Sequence, residues 1–220
     1  MGSKKLKVLV ATPVYAGKEY CVDTWVNAAR TYGASEVLLF DNSESPEFFQ
    51  RWRERVPMVR VITLGNIYFS RLTQAAESIR LYALANHYDY WLNLDADEMG
   101  PPELLSYLLN LLGSGDVLCH ASFNRQLDLW VDGGFGCTLF KRSVLQSFSF
   151  ADCPDTVGHD VWFFRHMASA HPEFEVVKTR GNKVLMHLDG EDDRVIPRKI
   201  DPELVKKLDY SLYQSLEMVQ

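Results

Sequence analysis

Short apolar runs alternate with stretches of helical periodicity through the first half of the chain. Apolar runs cover residues 6–11, 36–40, 59–64 and 88–94, and each is followed by a polar or turn-forming residue. Between them, residues 18–32, 48–56 and 70–86 carry apolar side chains at helical spacing. Nearly continuous apolar runs are typical of strands that are buried on both faces. The alternation therefore predicts an α/β fold: a mixed, mostly parallel central sheet flanked by helices.

The second half of the chain is less regular. The pattern predicts helices over 101–112, 159–169 and 201–219, strands over 116–123, 137–140, 174–177 and 183–187, a glycine-rich loop over 124–136 and a charged segment over 189–199. No internal repeat is visible. Ligands of such folds bind beyond the carboxyl ends of the strands. The residues at strand ends are therefore the first candidates for function.

Composition excludes several classes of protein. The 220 residues are 47% hydrophobic and 24% charged, with a formal net charge of −6, which is typical of a globular chain and unlike a nucleic-acid binder held by phosphate contacts. No apolar run approaches the roughly 20 residues that a membrane span needs, and no signal peptide is recognised. The four cysteines are widely spaced. We expect free thiols and a cytoplasmic protein.

Two carboxylates, Asp95 and Asp97, directly follow the apolar run 88–94. A spacing of two places both side chains on one side of an extended chain. Hard oxygen ligands in this arrangement suit Mg²⁺ or Mn²⁺ together with a diphosphate. The alternative interpretation is a solvated acidic turn.

Polar residues also follow the first two predicted strands. Asp41 could accept hydrogen bonds from a base or a ribose, although "DNS" would equally form an ordinary turn. Thr12 and Tyr15 could contact a nucleotide, or belong to a plain strand-to-helix loop. Neither a G-x-G-x-x-G motif nor a P-loop is present.

Two further candidates lie late in the chain. Asp160 stands at a predicted helix start, where it could act as a general base or could simply interact with the helix terminus. His187 ends an apolar run and could supply a nitrogen ligand to the same metal, although a lone histidine is ordinarily structural.

In this order and spacing, the motifs resemble those of GT-A nucleotide-sugar glycosyltransferases, most closely the large inverting family (family 2-like) that includes bacterial spore-coat and polysaccharide transferases. The resemblance spans residues 6–187. It rests on "VLVATPVY", Asp41, the helix 70–86, "LNLDADE" as a D-x-D motif, "DGGFGCTLFKR", "GHDVWFFR" and a late histidine. The chain departs from the family pattern at His159, where an acidic residue is usual, and in lacking a glycine-rich start to the helix 70–86.

The resemblance implies a role for each matching residue. Asp160 is the implied base, with His159 and Asp155 left open as alternatives. Arg71 is the implied arginine at the base or the diphosphate, with Arg80 as a weaker choice. The implied metal ligands are Asp97 and His187, and the implied nucleotide and donor contacts are Thr12, Pro13, Tyr15, Asp41, Arg71, Asp95, Ala96 and Gly134, with Gly133 beside the donor sugar.

The resemblance also implies the activity and the organisation. We expect a single GT-A domain over residues 1–188, with a nucleotide-binding half at about 1–98 and an acceptor half at about 99–188, followed by a flexible loop and a C-terminal helix over 189–220. The expected reaction is metal-dependent transfer of a hexosyl group from a UDP-sugar, with Mn²⁺ or Mg²⁺, to a hydroxyl of a glycan, lipid-linked or protein-linked acceptor, with inversion. The oligomeric state stays open.

Three other functions share part of this sequence pattern. A sugar-nucleotide nucleotidyltransferase needs a glycine-rich basic loop after the first strand, and "ATPVYAGKEY" matches this poorly. An aspartate phosphatase would carry its D-x-D motif after the first strand of its fold, whereas here the motif follows the fourth. A degenerate domain could bind nucleotide or a partner protein without turnover, and a turnover assay would distinguish it.

Overall fold

The computed structural model describes residues 5–62, 68–121, 135–155, 157–180 and 185–187. The strands are β1 (Val8–Val14), β2 (Glu36–Asp41), β3 (Met58–Arg60), β4 (Tyr90–Leu94), β5 (Glu98–Met99), β6 (Val117–Ala121), β7 (Cys137–Lys141), β8 (Val176–Arg180) and β9 (Met186–His187). The α-helices are α1 (Val22–Thr31), α2 (Glu47–Trp52), α3 (Tyr68–Ala85), α4 (Leu104–Leu112), α5 (Arg142–Ser147) and α6 (His159–Ala170), and 3₁₀ helices cover Ala16–Cys21 and Phe150–Asp152.

Seven of these strands form one mixed sheet in the order β3-β2-β1-β4-β7-β6-β8. Strands β1 to β4 are parallel, β7 is antiparallel to both of its neighbours, and β6 is parallel to β8. Strands β5 and β9 form a separate antiparallel pair. The predicted fold class, a mixed and mostly parallel sheet flanked by helices, is confirmed.

Alternating side chains of the central strands supply two cores. Val8 and Val10 of β1 join the core under α1 and α4, where Trp25 is fully buried. Leu9 and Ala11 of β1 face the other side, where Ile79 of α3 and Phe163 of α6 are fully buried. Both faces of β1 are therefore covered by helices, which explains the continuous apolar sequence of this strand.

Some element boundaries differ from those that the sequence predicts. Strand β1 continues through Pro13 to Val14, whereas the sequence predicts that Thr12-Pro13 ends it. Strand β4 pairs with β1 only over residues 8–10, so the missing N–H of Pro13 lies beyond that ladder. The predicted helix 18–32 is divided into a 3₁₀ helix and α1. Helix α5 was not predicted, because six residues carry too little periodicity.

Several predicted features lie outside the described residues. They include Gly133 and Gly134, most of the loop 124–136 and the whole segment 189–220. The division into residues 1–188 and 189–220 stays a prediction. Among the described helices, none combines the length and hydropathy that crossing a membrane requires.

Candidate functional site

The loops that follow β1, β2 and β4 meet at one edge of the sheet, because these three strands are parallel neighbours. Tyr15 follows β1, Asn42 follows β2 and Asp95 follows β4. The register fixes the first two loops beside each other, since Val14 pairs with Asp41 and the Asn42 N–H donates to the Val14 carbonyl at 2.8 Å. The polar strand ends that the sequence singles out are thus neighbours in space.

A cleft of about 310 Å³ opens between the first two of these loops and helices α2 and α3. Tyr15 and Arg71, both predicted nucleotide contacts, lie in its wall. Thr12 and Pro13 do not line it, and Thr12 is fully buried within the sheet. The volume falls within the range of small-molecule sites. The lining residues are Tyr15, Ala16, Asn42, Ser43, Glu44, Ser45, Glu47, Phe48, Arg51 and Arg71.

Asp41 lies beneath the cleft and does not line it. Its side chain is fully buried, and one carboxylate oxygen accepts a hydrogen bond from the Ser43 N–H at 2.9 Å. The other oxygen pairs with Nη1 of Arg60 at 2.5 Å. One oxygen therefore stabilises the turn after β2, and the other binds the adjacent strand β3. The structure places Asp41 as a support of the cleft.

The neighbouring Asn42 does line the cleft, although sequence reasoning missed it. Its side chain is only 4% exposed, and its Oδ1 has no hydrogen-bond partner among the described residues. A buried carbonyl without a partner is costly, and such groups are few in native proteins. The sequence contained one signal, the "DNS" turn, which also has an ordinary structural explanation.

The two candidate arginines have different environments. Arg71 borders the cleft, and its Nη1 donates to Oε1 of the exposed Glu44 at 2.6 Å. Arg80 is buried against Glu77 one helical turn earlier, and its Nη1 donates to the Leu145 carbonyl at 2.6 Å. Arg80 thus ties α3 to α5, and of these two arginines Arg71 is the one that lines the cleft.

The turn after β4 carries the two carboxylates of the D-x-D motif. The Asp95 N–H donates to the Gly136 carbonyl and the Glu98 N–H to the Asp95 carbonyl, each at 2.7 Å. This turn buries Ala96 and Asp97 and leaves Asp95 exposed. Crowding by protein atoms and the negative charge of Asp97 raise the pKa of Asp95 to about 6. Because the Asp95 side chain is exposed, repulsion from the Asp97 carboxylate contributes more to its raised pKa than burial does.

Lys18 contributes a positive charge to this turn. Its Nζ forms an ion pair with Oδ2 of Asp97, and their side chains are 27% and 8% exposed. Although burial acts to lower it, the Asp97 carboxylate raises the pKa of Lys18 above its ordinary value. No local sequence signal marks this contact, because 79 residues separate the partners.

The chemistry of the donors fits a divalent cation in part. Two carboxylates that already attract a positive charge are suitable hard ligands. Within the described ranges, no three histidine, cysteine, aspartate or glutamate side chains are grouped to hold a metal ion. The predicted ligand His187 is described through its backbone alone, which pairs with Glu98 in β5.

Helix α6 places Asp160 near the turn after β4, at the edge of the sheet where Asp95 lies. Asp160 lies in the first turn of α6, and its negative charge also acts to raise the pKa of Asp95. His159 packs edge-on against Phe135 and Phe150, and burial lowers the pKa of His159 to about 4. Asp155 is exposed, before the helix. Of the three predicted bases, Asp160 is the one that combines a carboxylate with proximity to Asp95.

Comparison with known proteins places this site in a familiar fold. No protein-family model matches the chain, and no curated protein matches it by sequence. Glucosyl-3-phosphoglycerate synthase from Mycobacterium tuberculosis, crystallised with Mg²⁺ and uridine diphosphate, is 12% identical with a TM-score of 0.57, over 84% of this chain and 72% of that chain. Its complex with Mn²⁺ and UDP-glucose gives the same identity and TM-score over 86% and 73%. The chain therefore has a GT-A-like fold, as its motifs predicted.

Proposed function

We propose that the protein is a glycosyltransferase that moves a sugar from a UDP-sugar to an acceptor hydroxyl with inversion. The observation that carries this proposal is the arrangement at one edge of the sheet. A nucleoside-sized cleft, the Asp95–Asp97 pair and Asp160 all lie at the carboxyl ends of parallel strands or beside them. Binding of UDP, UDP-glucose and Mn²⁺ by the structural neighbours supports this choice of donor.

The cleft would hold the nucleoside. Tyr15 offers an aromatic face for the base, and the Asn42 carboxamide can accept a hydrogen bond from the imide N–H of uracil. Arg71 would turn from the exposed Glu44 to the diphosphate, since an ion pair with a solvated carboxylate is weak. Thr12, Pro13 and Asp41 support these groups from within the sheet.

The two carboxylates after β4 would hold a divalent cation, with Asp97 as the direct ligand and Asp95 acting through bound water. His187 is proposed as a further ligand. When bound, Mn²⁺ or Mg²⁺ supplies Lewis-acid stabilisation of the negative charge on a departing diphosphate. Gly134 is proposed to lie beside the donor sugar.

Asp160 would accept the proton of the attacking hydroxyl. A base that faces the acceptor oxygen contributes roughly 10²–10⁴-fold in rate. His159 is less suited to this step, because a pKa of about 4 makes its imidazole a weak base at neutral pH. Attack from the side opposite the leaving diphosphate inverts the anomeric centre. We propose a glycan, lipid-linked or protein-linked hydroxyl as the acceptor.

Calorimetric titration tests the nucleotide site. We expect UDP to bind the wild-type protein in the presence of Mn²⁺, and we expect Asp97→Ala to abolish that metal-dependent binding. Asp23→Ala is the matched control, because Asp23 lies in an exposed ion pair on α1 and should leave the affinity unchanged. Equal UDP affinity in the wild type and in Asp97→Ala would refute the assignment of Asp97.

Turnover distinguishes an enzyme from a binding domain. Incubation with a panel of UDP-sugars and Mn²⁺, with released UDP as the readout, should identify a donor that is slowly hydrolysed. Tight UDP binding without release of UDP from any donor, even with acceptors added, would favour the degenerate binding domain.

A further inference from the structure

Hydrogen bonds hold the backbone around Lys18 close to the turn after β4. Lys18 lies in the 3₁₀ helix Ala16–Cys21, and its N–H donates to the Tyr15 carbonyl at 2.8 Å. The Cys21 thiol donates to the Lys18 carbonyl at 2.9 Å. Nε1 of Trp25 in the following helix α1 donates to the Leu94 carbonyl at 3.2 Å, which ties this region to the end of β4.

The Lys18–Asp97 pair differs from an ordinary surface ion pair. The Asp97 side chain is 8% exposed, so water screens this pair less than it screens an ion pair at the surface. The ammonium therefore balances the charge of a nearly buried carboxylate in the D-x-D turn.

We propose that Lys18 is an intramolecular counter-cation of the D-x-D turn. Its ammonium holds Asp97 until the donor arrives, gives up this carboxylate to the incoming divalent cation, and then binds the diphosphate. This inference rests on the proposed function, because it assigns a further positioning residue to the same site.

Charge and reach both favour such an exchange. An ammonium and a divalent cation that share one buried carboxylate repel each other, so Lys18 and the metal compete for Asp97. A nucleoside diphosphate brings new negative charge to the same place, and the flexible lysine stem lets the ammonium follow it. Lys18 therefore opposes binding of the free metal and favours binding of the metal together with the nucleotide.

The test measures two affinities in Lys18→Met. Loss of the ammonium should tighten binding of Mn²⁺ alone by about tenfold, because Asp97 loses its competing partner. The same substitution should weaken binding of UDP at saturating Mn²⁺ by about tenfold, because the diphosphate loses a charged donor. Lys18→Arg keeps the charge and should restore both affinities towards the wild-type values.

Lys141→Met is the matched control. Lys141 forms a comparable ion pair with Asp116, and its partner in β4 is Tyr90, at the end of the strand opposite the D-x-D turn. This variant should match the wild type in both titrations. Circular dichroism would verify that every variant is folded.

The titration of Mn²⁺ alone and the titration of UDP test different parts of the proposal. Unchanged or weaker Mn²⁺ binding in Lys18→Met would overturn the counter-cation role, and unchanged UDP binding would overturn transfer of the ammonium to the diphosphate. Failure of the wild type to bind UDP would instead refute the proposed function. In that case, the comparison with Mn²⁺ alone would still decide whether Lys18 competes for Asp97.

Discussion

Replacement of Asn42 by leucine should separate stability from function. Asn42 is 4% exposed and lines the cleft, while its Oδ1 has no hydrogen-bond partner among the described residues. Leucine has a similar shape and lacks the carbonyl. The substitution therefore removes a buried group that the free protein leaves unsatisfied and that the proposed ligand would satisfy.

The two expected effects have opposite signs. A buried polar group without a partner costs about 1–3 kcal/mol, so Asn42→Leu should raise the free energy of unfolding by about 1 kcal/mol. The uracil edge would lose its hydrogen bond in the same variant. Because 1.4 kcal/mol corresponds to a factor of ten, the UDP affinity should fall roughly 10- to 100-fold.

The assay combines urea unfolding of the free protein with calorimetric titration of UDP in Mn²⁺. Asn93→Leu is the matched control for stability, because Asn93 is equally buried but its Nδ2 donates to the Phe135 carbonyl at 2.6 Å. We expect this control to lose about 1–3 kcal/mol of stability. The reasoning is refuted if Asn42→Leu is destabilised like the control, or if it binds UDP as the wild type does.

Three further predictions concern the base, a buried histidine and the support of the cleft. Asp160→Asn should lower turnover roughly 10²–10⁴-fold and leave the UDP affinity within about twofold, as measured by UDP release and calorimetry. Burial lowers the pKa of His120 to about 4. In the unfolded chain this histidine binds a proton below about pH 6.5, whereas in the folded protein it stays neutral down to about pH 4. The free energy of unfolding should therefore fall by about 3 kcal/mol between pH 6.5 and 4, as measured by urea unfolding. Arg60→Met should cost about 3 kcal/mol, because it leaves the buried Asp41 carboxylate without its cation.

The histidine prediction and the ion-pair prediction each have a matched control. For the histidine, the part of the pH dependence due to His120 should disappear in His120→Phe and persist when the exposed His87 is replaced by asparagine. For the ion pair, Arg55→Met removes an exposed partner of Asp23 and should cost less than about 1 kcal/mol. Wild-type turnover in Asp160→Asn, an unchanged pH profile in His120→Phe or wild-type stability in Arg60→Met would contradict the respective prediction.

The sheet could be predicted from local pattern because burial on both faces leaves a direct mark on sequence. Strands β1, β2 and β4 are apolar at almost every position, and each is followed by the polar residue that the fold places at the binding edge. The short helix α5 and the two-residue strands β5 and β9 carry no comparable mark. Their conformation follows from contacts with the rest of the chain.

Prediction of the site was less complete, because a residue type does not state which partner it will meet. Tyr15 and Arg71, which the sequence predicts as nucleotide contacts, line the cleft, and Asp95 and Asp97 lie together in the turn after β4. Asp41 was expected at a base, yet Arg60 and the Ser43 N–H occupy its carboxylate. Asn42, the next residue along the chain, lines the cleft instead.

The sequence by itself determined the alternation of strands and helices, the mixed, mostly parallel sheet and the edge at which polar residues gather. Hydrophobic burial sets these features through neighbouring residues, so they can be inferred from periodicity. Only the tertiary structure decided that Lys18 pairs with Asp97, 79 residues away, and that the Asn42 carbonyl beside the cleft finds no partner in the described part of the chain. Such pairings depend on where distant backbones bring side chains, and the local pattern carries no record of that distance.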